Sequence, residues 1–170
     1  MKNQQETLYS CPFFNVIKDG KYFVITEKHE VNAAVIVAIN KEGKILLARH
    51  YRPAIGSVSV EFPRGSRDSG ESLEDTARRE LLEETGFKAE RSIRLGSIHS
   101  NTSLIRSRVE VFLLSDIEST GTEGDGEVES LFFATTEDIS RMVANGDITD
   151  GHTLSAISLL YAMKENKEGA

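Results

Sequence analysis

Residues 65–87 read GSRDSGESLEDTARRELLEETGF and hold ten ionisable side chains, seven of them acidic, around a short apolar stripe. The stripe has the spacing of one helix face at about 100° per residue, and its members are Leu73, Ala77 and Leu81. This periodicity predicts a helix over Leu73–Thr85 that packs against a core. Gly86 follows directly and favours a left-handed helix end.

Three glutamates on this helix lie beside its apolar face rather than opposite to it. Glu80 and Glu84 fall next to the stripe and Glu83 adjoins Glu80, so like charges repel at the edge of a core. Arg79 precedes Glu83 by four residues and can neutralise one carboxylate, not three. Two interpretations stay open. The segment is a charged surface helix with ion pairs, or it is a site for Mg²⁺ or Mn²⁺, which prefer clustered carboxylate oxygens.

Composition places the chain among ordinary globular proteins. It has 170 residues, 39% of them hydrophobic and 28% charged, which fits a single domain. The net charge of −7 argues against non-specific binding to nucleic acid or to an anionic membrane. Cys11 is the only cysteine, so no intrachain disulfide forms and a cytoplasmic location is expected. No run approaches the roughly 20 apolar residues that cross a bilayer, and the N-terminal residues lack the layout of a signal peptide.

Around the acidic helix the chain mixes strand-like and helix-like segments. Residues 13–27 predict a β-hairpin about the turn dipeptide Asp19-Gly20. Further strands are expected at residues 33–39, 44–52, 58–62, 93–98, 108–114 and 128–134, and further helices at residues 136–144 and 153–164. This order favours an α+β fold or a three-layer sandwich. Residues 1–30 then form a small N-terminal β element, and residues 31–170 form the main domain.

The polar residues of the first segment also occur at fixed offsets, namely Gly65, Glu71, Arg79, Glu80, Glu83, Glu84 and Gly86. This spacing resembles the Nudix box of the Nudix hydrolase family. The resemblance implies an α+β fold in the form of an α/β/α sandwich with a mixed sheet, here with an N-terminal β-hairpin. It also implies Mg²⁺, or Mn²⁺, held by Glu80, Glu83 and Glu84. Arg79 then orients these carboxylates through ion pairs, and the backbone carbonyl of Arg64 completes the metal shell.

The segment before the box narrows the resemblance. HYRPAIGSVSVEFPRG, residues 50–65, is similar to the corresponding stretch of ADP-ribose pyrophosphatases and related nucleoside-diphosphate-sugar hydrolases. Arg52 matches an arginine that contacts substrate in that subgroup, as expected of a guanidinium beside phosphate oxygens. Glu61 opens the matching segment that leads into the box, and it is either a substrate contact or a structural acid.

A second resemblance lies downstream of the box. GDGEVESLFF, residues 124–133, is similar to the loop and strand in which the same subgroup carries a glutamate that activates water. Glu127 is the matching residue and Glu129 is the alternative. Pyrophosphate hydrolysis requires such a base, so Glu127 joins Glu83 and Arg79 as an expected catalytic residue. An acid-rich glycine loop is equally typical of a flexible surface loop.

These features predict hydrolysis of the diphosphate bond in a nucleoside diphosphate linked to another moiety. ADP-ribose, cleaved to AMP and ribose 5-phosphate, is the leading substrate, and other nucleotide sugars or dinucleotides stay open. A non-catalytic ligand-binding module, RNA cap removal and hydrolysis of oxidised nucleotides are the competing interpretations.

Two departures weaken ADP-ribose as the substrate. Residues 101–104 lack the Pro-Gly turn of the subgroup, and the chain has no tryptophan. Base stacking then falls to residues such as Phe13, Phe14 or Tyr22 in the hairpin. The subgroup pairs through an N-terminal segment of this kind, so a homodimer is expected, with no nucleic-acid or membrane partner.

Overall fold

The computed structural model describes residues 5–168, and the side chains of residues 28–32 and 166–168 lie outside that description. The strands are β1 (Gln5–Ser10), β2 (Phe14–Asp19), β3 (Tyr22–Asn40), β4 (Ile45–Arg52), β5 (Ser57–Glu61), β6 (Arg64–Ser66), β7 (Phe87–Lys88), β8 (Arg91–Ile98), β9 (Ile105–Ser119) and β10 (Ser130–Ala134). The helices are α1 (Leu73–Thr85), α2 (Thr136–Asn145) and α3 (Gly151–Glu168).

The long strand β3 connects the parts of the sheet. It pairs in parallel with β9 and antiparallel with β2, β4 and β6. β8 continues the sheet beyond β9, while β5 and β10 pair with β4. The sheet is therefore mixed, as predicted.

The two faces of β3 divide the core. Because side chains alternate across a strand, Ala34 and Ile36 contribute to a buried cluster with Leu81 of α1. Val35 and Val37 face the other way, into a cluster shared with α2 and α3. Helices thus cover both faces of the sheet, and the predicted α/β/α sandwich is confirmed.

Helix α1 has the predicted bounds because short-range signals fix both of its ends. The Ser72 hydroxyl accepts a hydrogen bond of 3.1 Å from the backbone N–H of Asp75, an N-cap interaction. Gly86 adopts a left-handed φ of 70°, and its N–H donates to the carbonyl of Leu82. A non-glycine residue at this φ would be strained.

The N-terminal part differs from the prediction. β1 was not expected, and each of its six side chains is exposed, so no buried face left a pattern in the sequence. The second hairpin strand and the strand predicted at residues 33–39 form one continuous strand, β3. The expected domain boundary near residue 30 therefore falls within a strand. Among the described residues, no helix is long and apolar enough to cross a membrane.

Candidate functional site

The loop before α1 meets the helix at Gly65. Pairing of Gly65 with Ala34 of β3 fixes its backbone directly against the Glu80 side chain. A Cβ added at Gly65 would overlap the Glu80 carboxylate. A larger residue here would displace the Glu80 carboxylate, so glycine at this position forms a cradle for that carboxylate.

Arg79 binds several acids at once. Its Nε donates to Glu71 at 3.0 Å, and its Nη1 donates to Glu80 at 2.9 Å and to Glu83 at 2.8 Å. Its Nη2 donates to the Ser66 carbonyl at 2.8 Å and to the second oxygen of Glu71. These bonds from Arg79 lower the pKa of Glu71 to about 2. One guanidinium thus ties the box loop to two of the three glutamates on α1.

Glu84 is the glutamate that Arg79 does not reach. Its side chain is only 6% exposed, and it accepts a hydrogen bond of 3.3 Å from the backbone N–H of Arg64. Burial raises the pKa of Glu84 to about 8, and the charge of Glu80 adds to the effect. Within the part of the chain that the structure describes, no cationic side chain forms an ion pair with Glu84.

The carboxylates of Glu80, Glu83 and Glu84 are suitable ligands for a hard divalent cation, although in this structure they do not converge on one point. Glu80 and Glu83 turn toward Arg79, and no group of three or more His, Cys, Asp or Glu side chains among the described residues is arranged to hold a metal. Burial nevertheless raises the pKa of both Glu80 and Glu84. The cationic groups around these two carboxylates therefore do not fully compensate the cost of burying their negative charge. Carboxylate oxygens at such a place are the ligands that Mg²⁺ and Mn²⁺ prefer.

A second charged network lies beside these acids. Glu61, 2% exposed, accepts hydrogen bonds from Arg52 Nη2 at 2.6 Å and Nε at 3.1 Å, and Arg64 Nη2 lies 3.0 Å from the same carboxylate. Burial alone would raise the pKa of Glu61, but the two guanidiniums outweigh it and lower the pKa. The structure thus places the Glu61 carboxylate on two arginines, below the surface.

Arg52 keeps part of its guanidinium free. Its side chain is 34% exposed, and its Nη1 makes no hydrogen bond to the described residues. The charges of Arg52 and Glu84 influence each other's pKa. The Arg52 guanidinium and the acidic cluster therefore lie in one region of the protein. A region of this kind suits a ligand that carries phosphate.

The first turn of α3 supports this network, and the sequence analysis missed it. Arg64 Nη1 donates to Asp150 at 2.8 Å, and Asp150 caps α3 by accepting from the Thr153 N–H at 2.8 Å. The Thr153 hydroxyl also accepts from the backbone N–H of Phe62 at 3.0 Å. The signal available in the sequence was an aspartate three residues before threonine at a helix start, but it did not indicate a contact with the box.

The polar loop after β9 is anchored on the last turn of α1. The Thr120 N–H donates to the Gly86 carbonyl at 2.9 Å, and the Asp125 N–H donates to the Glu83 carbonyl at 2.8 Å. A Cβ at Gly124 would overlap the carbonyl of Glu84. The loop thereby satisfies helix-end carbonyls that lack partners within the helix. Because these anchors are backbone groups, the sequence did not indicate them.

The acids of this loop differ in their surroundings. The charge of Asp125 raises the pKa of Glu84, after the larger effects of burial and Glu80. Glu127 is exposed, and its N–H donates to Asp125 at 2.9 Å. The Glu129 N–H donates to the Arg49 carbonyl of β4. Asp125 is thus a loop acid near the cluster that the sequence analysis did not single out.

A groove of about 570 Å³ opens between the N-terminal strands and the box. Its lining includes two aromatic residues of the hairpin together with polar residues of the box loop and of α3. These residues are Phe13, Phe14, Arg64, Ser66, Arg67 and His152. One ligand can therefore contact aromatic rings and the region of the acidic cluster.

Comparison with known proteins agrees with this architecture. Residues 28–156 match the NUDIX domain. The chain is 31% identical to the ADP-ribose pyrophosphatase of Bacillus subtilis over 131 residues, 75% of this chain and 71% of that protein. It is 31% identical to the NAD-capped RNA hydrolase NudC of Photobacterium profundum over 96% of this chain and 62% of that protein. A crystal structure of an ADP compounds hydrolase superposes with a TM-score of 0.81, covers 96% of this chain and 93% of its own, and shares 22% identity.

Glu84 makes the stability of the cation-free protein depend on pH. Its pKa is about 8 when folded and close to the ordinary value of 4.5 when unfolded. The folded state therefore holds this proton longer, and stability falls as pH rises from about 4.5 to about 8. We expect Glu84→Gln to remove this part of the fall. The measurement is the free energy of unfolding of both proteins in EDTA across this range, and parallel curves would contradict the assignment.

Proposed function

The chain belongs to the Nudix hydrolase family, and from its site we propose that it hydrolyses the diphosphate bond of a nucleoside diphosphate linked to another moiety. ADP-ribose, which would give AMP and ribose 5-phosphate, is the leading substrate. The observation that carries the proposal is the buried Glu84 beside Glu80, close to the partly free guanidinium of Arg52. An acidic cluster that lacks positive charge and an arginine next to it suit a cation and a diphosphate bound together.

The proposed cofactor is Mg²⁺, with Mn²⁺ as an alternative. Glu80, Glu83 and Glu84 would hold it with the backbone carbonyl of Arg64. When bound, such a cation lowers the pKa of water and offsets charge on phosphate oxygens. Arg79 holds Glu80 and Glu83 at the edge of the cluster through the bonds described above.

Arg52 is proposed to contact the substrate diphosphate. Its Nε and Nη2 are held by Glu61, so the guanidinium plane is fixed before a ligand arrives. Nη1, which makes no hydrogen bond to the described residues, would then meet a phosphate oxygen with little loss of side-chain freedom. Glu61 contributes to binding indirectly, by orienting Arg52, rather than by a contact of its own with the ligand.

The groove beside the box is proposed to receive the nucleoside. Phe13 is 80% exposed and Phe14 is 37% exposed, and both line this groove together with Arg64 and Ser66. Aromatic rings bind the faces of nucleobases, so these two residues supply the stacking that a chain without tryptophan needs. This location puts a base on the hairpin and the diphosphate near the acids.

Glu127 is proposed as the general base that takes a proton from the attacking water. Its exposure leaves the carboxylate free to reach the substrate, and its backbone N–H is bonded to Asp125, on the anchored loop. Glu129 is the alternative, although its backbone already pairs with β4. Asp125 lies close enough to influence Glu84 and is therefore a third candidate.

Removal of an NAD cap from RNA is a second candidate function, since a relative that matches 96% of this chain, over 62% of its own length, has that name. An NAD cap is itself a nucleoside diphosphate joined to a second moiety, so the same site would serve. The net charge of −7 favours the free nucleotide over the polyanion.

A cytoplasmic location also belongs to this proposal and is supported by the single free cysteine, Cys11.

A substrate screen tests the proposed function. Purified protein is incubated with ADP-ribose, other nucleotide sugars, dinucleotides, nucleoside triphosphates and NAD-capped RNA, with Mg²⁺ or with EDTA, and the products are separated. We expect metal-dependent release of AMP from ADP-ribose, and loss of turnover in Glu84→Gln. Ligand binding without any product would favour a non-catalytic module, and faster cleavage of the capped RNA would favour the second function.

Single substitutions distinguish the three candidate bases. Glu127→Gln is expected to lower kcat by roughly 10²–10⁴-fold, the usual contribution of a general base, with little change in KM. Glu129→Gln is the matched control two residues along and should change kcat far less. The measurement is kcat against pH for both variants and for Asp125→Asn. If the large loss occurs only in Asp125→Asn, the base is Asp125 rather than Glu127.

The N-terminal strands are proposed to form a homodimer interface. Besides the two groove residues, the hairpin and β1 expose large apolar side chains that a monomer would leave in water, namely Leu8, Tyr9, Tyr22 and Phe23. A surface with this many apolar residues is typical of a protein interface. Among the described residues β1 is the last strand at this end of the sheet, and an edge strand of this kind can pair with a second chain.

Light scattering at micromolar concentration measures this association. The double variant Leu8→Ser, Phe23→Ser is expected to shift the protein from dimer to monomer because it removes apolar area from the proposed interface. Ile93→Ser is the control, since Ile93 is 44% exposed on β8, outside the N-terminal strands. A monomeric intact protein would contradict the proposal.

A further inference from the structure

Arg67 is an arginine without a partner in the structure. Every other arginine of the chain forms an ion pair or contacts an aromatic ring among the described residues. Arg67 forms no ion pair, hydrogen bond or ring contact with any of them, although it is only partly exposed. It lines the groove together with Phe13 and Phe14. Since a guanidinium carries five N–H donors and no acceptor, Arg67 offers the groove a positive charge and donors that no other described residue binds.

His152 supplies a second donor to the same groove. Arg64 Nη1 lies 3.2 Å from the imidazole Nδ1, and because a guanidinium only donates, Nδ1 accepts this hydrogen bond. The proton of the neutral ring is therefore on Nε2. The Asp150 carboxylate lies 3.9 Å from the same Nδ1, too far for a hydrogen bond. The imidazole lines the groove with its side chain 25% exposed, and its Nε2–H has no acceptor among the described residues.

The scissile diphosphate does not account for these two donors. Arg52 and the three glutamates of α1, where the diphosphate and the cation are proposed to bind, are not among the described residues that line the groove. The one carboxylate of that lining is Glu27, and the described residues show no ion pair between it and Arg67. A groove of about 570 Å³ has the size of a pocket for one small ligand, so a single nucleotide can reach both donors. An acceptor on the bound nucleoside is therefore the partner that the groove lacks.

We propose that the groove is a subsite for a nucleoside whose ribose carries a phosphate on its 2′ or 3′ oxygen. Arg67 binds this phosphate, and His152 donates to one of its oxygens through Nε2–H. A phosphate suits these donors because a guanidinium can bond two of its oxygens at once and offsets their charge. The substrate class is then a nucleoside diphosphate derivative with an additional phosphate on the nucleoside ribose. This inference rests on the proposed function, which puts the nucleoside in the groove.

Binding of three product-like nucleotides tests the subsite without turnover. Calorimetry gives the Kd of AMP, adenosine 2′,5′-bisphosphate and adenosine 3′,5′-bisphosphate, in EDTA so that no ligand binds through a metal ion. We expect one bisphosphate to bind about 10–100-fold more tightly than AMP, the factor that corresponds to a charge-assisted hydrogen bond. The bisphosphate that binds more tightly identifies the ribose oxygen. Equal Kd values for the three nucleotides would overturn the proposal.

Arg67→Gln shows whether this preference comes from the groove. The variant should lose most of the preference for the bisphosphate, because the guanidinium that binds the additional phosphate is gone. Arg141→Gln is the matched control, since it makes the same change of charge on α2, outside the described lining of the groove, and it should keep the preference. If Arg67→Gln weakens AMP and the bisphosphate by the same factor, Arg67 binds a part that both ligands share, and the proposal is overturned.

Two variants test the donor of His152. His152→Ala should lower the preference by about 2–10-fold, the range of a neutral hydrogen bond. His152→Gln should keep most of the preference, because its amide nitrogen reaches the position of Nε2. Nitrogen NMR of the neutral imidazole, assigned by loss of the signal in His152→Gln, should show the Nε2–H tautomer. The Nδ1–H tautomer, or an unchanged preference in His152→Ala, would overturn the role of His152.

Turnover separates this inference from the proposed function. ADP-ribose and its phosphorylated form are compared with Mg²⁺, and we expect the additional phosphate to lower KM more than it changes kcat, because its contacts lie away from the acids. If the bisphosphate preference depends on Arg67 while no diphosphate is cleaved, the proposed function fails and the subsite stands. If ADP-ribose is cleaved and no preference for the additional phosphate exists, the subsite fails and the proposed function stands.

Discussion

The bonds of Arg79 are the constraint on which the site depends. Without this guanidinium, Glu71, Glu80 and Glu83 would repel each other at the border of a buried face. Its bond to the Ser66 carbonyl extends the same interaction into the box loop, so loop and helix cannot shift independently. The positive charge of Arg79 is shared among these three acids and does not reach Glu84. Glu84 is consequently left buried beside Glu80 with a backbone N–H as its partner, and this imbalance is what makes the cluster suitable for a cation.

The support for this arrangement comes from the opposite side of the sheet. α3 packs on the face that α1 does not cover, yet its first turn contacts Arg64 and Phe62, which lead into the box. Asp150 carries two functions at once, as the cap of α3 and as the partner of Arg64. The segment before α1 is thus held from both layers of helices, which explains how a short stretch of irregular backbone keeps a fixed position.

The sequence was informative where short-range physics determines the structure. The bounds of α1 follow from Ser72, the apolar stripe and Gly86, and the box spacing singled out Glu80 and Glu83, which the structure bonds to Arg79. The sequence was silent on contacts between distant segments, such as Arg64 with Asp150, because either residue alone is typical of a solvent-exposed position. It also missed the anchoring of the loop, since backbone carbonyls of α1 are not encoded by any particular side chain. The continuity of β3 was hidden for a related reason. Its polar middle interrupts the apolar pattern, whereas backbone pairing does not depend on it.

The anchored loop has a consequence for how such a protein can diverge. Thr120 is bonded to the carbonyl of Gly86 and Asp125 to the carbonyl of Glu83, both at the C-terminal end of α1, so the chain between them is held at both ends. An inserted residue would have to bulge into solvent or break one of the two bonds, and Gly124 leaves no room for a larger side chain. The turn of the N-terminal hairpin at Gly20 is held differently, by side-chain hydrogen bonds from Gln5 and Arg106 to Asp19. A change of chain length is therefore easier to accommodate at this turn than in the backbone next to the acids.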